Sequence, residues 1–310
     1  MKQLILSTAA YAAFSNDAAA NKLSHAYMLH LNDAGNLREV LKMFALKFFG
    51  LTGEELDGRR LLNESLPDCR IYPPEGKKLA AENIADLRAE SVMQPLERDK
   101  KLFIISGFND ASVLIQNKLL KTLEEPPRGV YFLLGVTSVA PVLDTVKSRV
   151  KTLTIPPFTP AQIFAALERK GKNDLNADAA ESCGGVFGVA ENMIKGGWFG
   201  EVRKAAEEIC SANKISDIGE IAVKYGDTKY KAELLAETGR IFHAALCGRV
   251  RGGKQKEIVK KWTTPALIYA VESVDKACSD VKFNAYFQGL LYDLMLRIIE
   301  ENNKWLKLQA

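Results

Sequence analysis

The sequence has few cysteines, and their spacing excludes the common cysteine-based scaffolds. Five are scattered along 310 residues, and no two form a Cys-x-x-Cys pair. An odd number of widely spaced cysteines fits neither a disulfide framework nor a zinc module. We therefore expect no metal site and free, mostly buried thiols in a reducing cytoplasm. The five are Cys69, Cys183, Cys210, Cys247 and Cys278.

Long apolar runs are also absent. No segment approaches the roughly 18–20 apolar residues of a membrane span, so we expect no contact with a membrane. The apolar, alanine-rich stretch 2–14 superficially resembles a secretory signal. However, Ser7, Thr8 and Tyr11 interrupt it, and alanine is the strongest helix former. This stretch is therefore expected to be helix.

A strong charge of either sign is missing as well. The formal net charge of +4 permits contact with nucleic acid but does not require it. With 47% hydrophobic and 26% charged residues, the chain is neither disordered nor collagen-like. There is no internal repeat and no low-complexity tract. At 310 residues the chain exceeds the usual size of one hydrophobic core, which predicts two or three domains.

The first half of the sequence alternates between apolar runs typical of buried strands and helical patterns. Strands separated by helices indicate a parallel sheet that is covered on both faces. Strands are predicted at 26–31, 102–105, 130–136 and 150–155, and helices at 37–49 and 113–125.

Strand signals fade beyond Pro156-Pro157, which marks a domain boundary. Short helices broken by glycines are expected up to residue 200, and long amphipathic helices after it. The predicted domains are 1–157, 158–200 and 201–310. Long helices are predicted at 201–212, 229–247, 265–277 and 283–308.

Three stretches carry a family resemblance, and they occur in the family's order. They are Ser24-His25-Ala26-Tyr27-Met28-Leu29, the segment 116–127 with sequence QNKLLKTLEEPP, and the segment 143–150 with sequence LDTVKSRV. A weaker fourth is the segment 185–190 with sequence GVFGVA. These resemble, in turn, the strand entering the phosphate loop, the Leu-Glu-Glu-Pro-Pro signature, the Ser-Arg-Cys segment and a lid-domain turn of the AAA+ clamp-loader family.

The resemblance implies an α/β AAA+ N-terminal domain with a RecA-like parallel sheet. It also implies a small helical lid and an all-α C-terminal collar domain for oligomerisation, the latter by position only. Many relatives carry a four-cysteine zinc module after the first helix. Here the corresponding segment 50–68 has no cysteine, which again predicts no zinc.

The phosphate loop departs from the family pattern. A working loop reads Gly-x-x-x-x-Gly-Lys-Ser/Thr, because backbone N–H groups and the lysine surround the phosphates. Counting on from the first motif, Leu31 to Arg38 form this stretch; Leu37 replaces the lysine, Arg38 replaces the metal-binding hydroxyl, and Gly35 is the one glycine left. In addition, Ser106-Gly107 stands where the family places its magnesium aspartate. The loop is therefore predicted to be degenerate, with no bound cofactor.

Arg149 is the residue of the family pattern that is retained. On spacing alone it is an ordinary surface arginine. The resemblance implies a finger that reaches the ATP of a neighbouring subunit, with Ser148 in support, because a guanidinium stabilises charge on a transferred phosphoryl group. A finger without an intact loop resembles the delta-prime branch of the family. That branch implies a DNA polymerase III complex with gamma/tau and delta subunits, a sliding clamp and primer-template DNA as partners.

The remaining charged clusters allow alternatives. Arg249, Arg251, Lys254 and Lys256 form the densest basic run, which either contacts DNA phosphates or is a solvated loop. A DNA-binding scaffold unrelated to clamp loading therefore stays open, as does an active AAA+ ATPase or helicase. Glu124-Glu125, beside the helix-ending Pro126-Pro127, are interpreted most simply as a solvated helix end. Because negative charge is unfavourable there, a partner such as Lys121 or a neighbouring subunit is the alternative.

Overall fold

A computed structural model describes residues 1–248, 260–281 and 286–309. The chain forms two compact units, Met1–Glu191 and Asn192–Ala310. The division into three domains at 157/158 and 200/201 stays a prediction. Among the described residues, no helix is long and apolar enough to cross a membrane.

The first unit is built on a five-stranded sheet in which all neighbouring strands are parallel, in the order β2-β3-β4-β1-β5. This confirms the predicted α/β domain with a parallel sheet. One strand, β2, was not predicted. The strands are β1 Ala26–Leu31, β2 Cys69–Tyr72, β3 Lys101–Ser106, β4 Val130–Val136 and β5 Lys151–Ile155.

Helices connect these strands and flank the sheet. The N-terminal stretch is helical, as its alanine content predicted. The helices of this unit are α1 Lys2–Leu6, α2 Ala9–Ala19, α3 Leu37–Phe49, α4 Leu56–Leu62, α5 Ala81–Ser91, α6 Val113–Glu124, α7 Asp144–Lys147, α8 Pro160–Glu168 and α9 Asn176–Ser182. A further helix, α10 Phe187–Lys195, begins in this unit and crosses its boundary.

Apolar side chains cover both faces of the sheet, as expected for parallel strands. On one face, Met28 and Phe132 share a buried cluster with Leu119 and Leu123 of α6. On the other face, α3 approaches β4 so closely that a Cβ at Gly135 would lie 2.5 Å from the Leu41 side chain. This close packing fixes α3, and with it the loop that joins β1 to α3.

The second unit is helical, which confirms the predicted helical C-terminal region. Its helices are α11 Phe199–Ser211, α12 Ile215–Gly226, α13 Lys231–Leu246, α14 Thr264–Asp280 and α15 Phe287–Gln309. Of these five helices in the described residues, four correspond to predicted helices, and α12 was not predicted. Their apolar faces meet in one core that includes Phe242, Trp262 and Phe287.

Candidate functional site

The loop of residues 32–36 joins the carboxyl end of β1 to α3, where the family's phosphate loop is expected. Leu31 is buried as the last residue of β1. Leu37, the first residue of α3, is only 3% exposed, because its side chain belongs to the hydrophobic core. The position that the family gives to a phosphate-binding lysine is therefore part of the interior.

A buried carboxylate occupies this loop. Asp33 is 6% exposed. Its Oδ2 accepts hydrogen bonds from the backbone N–H of Gly188 and the side-chain amide of Asn36, both at 2.9 Å, while Oδ1 accepts from the backbone N–H of Asn36 at 3.2 Å. Asn36 precedes α3 and Gly188 lies in the first turn of α10, so the carboxylate sits where two helices begin. Such positions favour negative charge.

Sequence analysis did not single out Asp33. The available signal was local: an acidic residue three positions before an asparagine at a helix start. Its bond to Gly188 spans 155 residues and has no sequence signal of its own.

The two glycines near Asp33 differ in what they require. A Cβ at Gly188 would lie 2.4 Å from Asp33 Oδ1 and 2.6 Å from the Asn36 amide nitrogen, so only glycine fits without rearrangement. A Cβ at Gly35 would meet only Asp33 Oδ1, at an ordinary 3.8 Å. Gly35, the one glycine kept from the family's loop, therefore has no steric role here, whereas Gly188 does.

Arg38 is engaged elsewhere in the unit. Its guanidinium forms a two-pronged ion pair with Glu64, in which Nε donates to Oε1 at 2.7 Å, and its Nη1 donates to the Pro73 carbonyl oxygen at 2.9 Å. Lys42 Nζ lies 3.0 Å from the same carboxylate. The hydrogen bonds from Arg38, and then from Lys42, hold the pKa of Glu64 below its ordinary value. The arginine that follows the loop, at the start of α3, is thus committed to a partner.

At the carboxyl end of β3, Ser106-Gly107 leads into a short 3₁₀ turn, Phe108–Asp110. Gly107 has a φ of 71°, which is the left-handed region that favours glycine. Asn109 Oδ1 accepts a hydrogen bond from the backbone N–H of Thr137 at 2.8 Å. Among the described residues, no group of three or more His, Cys, Asp or Glu side chains could hold a metal ion.

Arg149 lies between α7 and β5, just before the amino end of β5. Its Nη1 donates to the Thr145 carbonyl oxygen at 2.6 Å and to Ser148 Oγ at 3.1 Å. Its Nη2 forms an ion pair with Glu124 Oε1 at 2.7 Å. The Arg149 side chain is 34% exposed, and Ser148 is exposed. The predicted finger residue is therefore accessible at the surface of its unit.

The loop and Arg149 are separated by the length of the strands. Tyr27 pairs with Lys151 and Leu31 with Ile155, so β1 and β5 run side by side in the same direction. At about 3.3 Å per residue, this paired stretch alone spans roughly 13 Å. Asp33 follows its carboxyl end and Arg149 precedes its amino end. Arg149 therefore cannot reach the loop of its own chain.

The remaining sequence expectations have mixed outcomes. Arg149, not Lys121, is the partner of Glu124 within the chain. Cys69 is buried at the start of β2, and burial raises the pKa of its thiol to about 12. The predicted DNA-contacting residues Arg249, Arg251, Lys254 and Lys256 lie outside the described residues, and their role stays a prediction.

Comparisons with known proteins identify relatives of this chain. A family model described as "DNA polymerase III, delta subunit" matches residues 6–159. The DNA polymerase III subunit delta' of Bacillus subtilis is 30% identical over 171 residues, which cover 53% of this chain and 51% of that protein. The protein of the same name from Haemophilus influenzae is 33% identical over 95 residues, 30% of this chain and 29% of its own length.

A crystal structure of a DNA polymerase III gamma subunit-related protein from Thermotoga maritima aligns with 93% of this chain and 98% of its own, with a TM-score of 0.49 and 14% identity. The matches to the two curated relatives span about half of their length or less. The family model covers the part of the chain that holds the loop and Arg149. The chain belongs to the family of DNA polymerase III delta' subunits.

Proposed function

We propose that this chain is a clamp-loader subunit that binds no nucleotide itself and offers Arg149 to ATP on a neighbouring subunit. It would work beside gamma/tau-type and delta-type subunits that place a sliding clamp on primed DNA. The observation that carries the proposal is the position of Arg149. Its guanidinium is partly exposed at the amino ends of the strands, whereas the loop of its own chain lies at their carboxyl ends. Only another chain could therefore use it.

The chemistry of the loop supports the first half of the proposal. A triphosphate needs backbone N–H groups, a lysine and a magnesium ion to balance its charge. Here Leu37 is in the core, Arg38 is paired with Glu64, and the N–H groups of Asn36 and Gly188 donate to Asp33. A phosphate entering the loop would meet a carboxylate already in place.

The chemistry of arginine supports the second half. A guanidinium is planar, keeps its charge at any physiological pH and can bind two phosphate oxygens at once. When supplied by a neighbouring chain, it stabilises the charge that develops as the terminal phosphoryl group leaves. Ser148 contributes by accepting a hydrogen bond from Nη1 while it donates to the Thr145 carbonyl, which stiffens the turn.

The test is a complex reconstituted with gamma/tau-type and delta-type subunits. We expect Arg149→Ala to assemble normally but to slow ATP turnover stimulated by clamp and DNA. The loss at the affected site should not exceed the roughly 10³- to 10⁵-fold effect of arginine fingers. Arg59→Ala, which removes an exposed arginine of α4, is the control and should turn over ATP like the unaltered complex.

Two outcomes would contradict the proposal. Unchanged ATP turnover in a fully assembled Arg149→Ala complex would remove the finger assignment. Micromolar affinity of the isolated chain for ATP would show that the loop is a working site and would favour an active ATPase.

A further inference from the structure

Three groups hold the Arg149 guanidinium, and one of them comes from a separate motif. The Thr145 carbonyl and the Ser148 hydroxyl belong to the same turn as Arg149. Glu124 belongs to the end of α6, in the Leu-Glu-Glu-Pro-Pro segment. Within the described part of the chain, Glu124 is the one acidic side chain paired with Arg149.

The position of Glu124 is itself well defined. The preceding Leu123 is buried in the core of the first unit, and α6 ends at Glu124 before Pro126-Pro127. A carboxylate in the last turn of a helix is disfavoured by the helix dipole unless a cation accompanies it. Arg149 is that cation. The side chain of Glu124 therefore has an electrostatic reason to stay on the guanidinium.

The contacts leave Arg149 able to bind a further anion. A guanidinium has five N–H donors. Nη1 uses its two on Thr145 and Ser148, Nη2 lies 2.7 Å from Glu124 Oε1, and among the described residues Nε donates no hydrogen bond. Donor capacity therefore remains on Nε and Nη2 while all three contacts are kept.

We propose that Glu124 is a positioning residue for Arg149 and that it fixes the guanidinium for the phosphate of a neighbouring subunit. This inference rests on the proposed function. A free arginine side chain samples many rotamers, and a side chain already held in place loses less freedom when it binds phosphate. The signature at the end of α6 thus positions Arg149 through a direct ion pair, although the two motifs are separate in sequence.

The experiment uses the reconstituted complex with Glu124→Ala and Glu124→Gln. We expect Glu124→Ala to lower kcat for ATP about two- to fivefold, the size of effect expected from a partly exposed ion pair. The KM for ATP and the assembly should stay unchanged. The kcat of Glu124→Gln should lie between those of Glu124→Ala and the unaltered complex, because its amide oxygen still accepts a hydrogen bond. Glu125→Gln is the matched control, since Glu125 is exposed and forms no ion pair among the described residues.

A double variant separates positioning from a structural role. In the Arg149→Ala background, Glu124→Ala should cause no further loss, because no finger remains to be positioned. An equal loss in both backgrounds would show that Glu124 supports the fold and would overturn the inference. The inference would also be overturned if Glu124→Ala leaves kcat unchanged while Arg149→Ala lowers it. If Arg149→Ala itself has no effect, the proposed function fails, and the inference fails with it.

Discussion

Replacing Asp33 by alanine tests how the loop between β1 and α3 is held. The substitution removes the acceptor of three hydrogen bonds, from the Gly188 N–H, the Asn36 N–H and the Asn36 side-chain amide. The Gly188 bond is buried, so its donor finds no water in exchange. Asn36 is only partly buried, and its two donors can turn to solvent.

The magnitude follows from this difference. A buried donor left without an acceptor costs about 1–3 kcal/mol, whereas a donor that reaches water costs little. We therefore expect Asp33→Ala to lower the free energy of unfolding of the first unit by about 2 kcal/mol. Asp33→Asn should cost nearly as much. Its amide offers one acceptor oxygen, and its NH₂ group would face the N–H donors that the second carboxylate oxygen now satisfies.

Hydrogen exchange is the suitable assay, because a chain with two units need not unfold in a single step. Amides in residues 33–41 should exchange faster in Asp33→Ala. Added formate should restore part of the protection, since it can accept the vacated N–H donors, and chloride at equal ionic strength should not. Asp99→Ala, which removes an exposed carboxylate, is the control and should change stability by less than about 0.5 kcal/mol.

Two results would refute this reasoning. Protection equal to that of the unaltered chain would mean that the hydrogen bonds to Asp33 contribute nothing. A loss of protection that formate and chloride repair equally would point to a general effect of salt, not to an anion position lined by N–H groups.

Two further predictions concern the first unit, and the first of them has its comparison variant in the second unit. In urea unfolding, Gly188→Ala should lower the free energy of unfolding by about 1–3 kcal/mol, because its Cβ would collide with Asp33. A Cβ at Gly219 would meet nothing within 4 Å, so Gly219→Ala should leave that free energy unchanged or raise it by up to about 1 kcal/mol. A larger loss in Gly219→Ala than in Gly188→Ala would refute this steric account. Glu64→Gln should cost about 1 kcal/mol at neutral pH, and the deficit should shrink as the pH falls below about 4.5. The folded-state pKa of Glu64 is depressed by Arg38, so its contribution exists above the unfolded pKa and is lost as the pH drops. A deficit independent of pH would contradict this ion-pair account.

Much of the first unit was predictable because its strands are strong apolar runs. β1 and β4 match their predicted ranges, and so does α3. β2 was missed because it has four residues, of which Arg70 is exposed and Ile71 half-buried, so no apolar run marks it. α12 contains Gly219 and Gly226, and glycine lowers helix propensity, although the packing of Ile218 and Ile221 stabilises the helix in the fold.

The candidate site was predictable only where its signals are local. The family resemblance placed Leu37 and Arg38 at the start of α3, and it singled out Arg149, which lies before β5. The partners of these residues could not be predicted in the same way. For Glu124, the helical spacing suggested Lys121, three positions earlier, whereas the structure pairs it with Arg149. That contact depends on how β5 and α6 are placed by the sheet, which no short segment encodes.

The direction of the strands gives the unit two ends that are chemically unlike. A neighbour approaching the amino ends of the strands meets a guanidinium with spare donors, and one approaching the carboxyl ends meets a loop filled by its own carboxylate. In a head-to-tail row of related subunits, each interface joins one kind of end to the other. Under the function proposed above, this chain would complete the site of the member on one side and would need nothing from the member on the other. We would then expect it at a terminus of such a row.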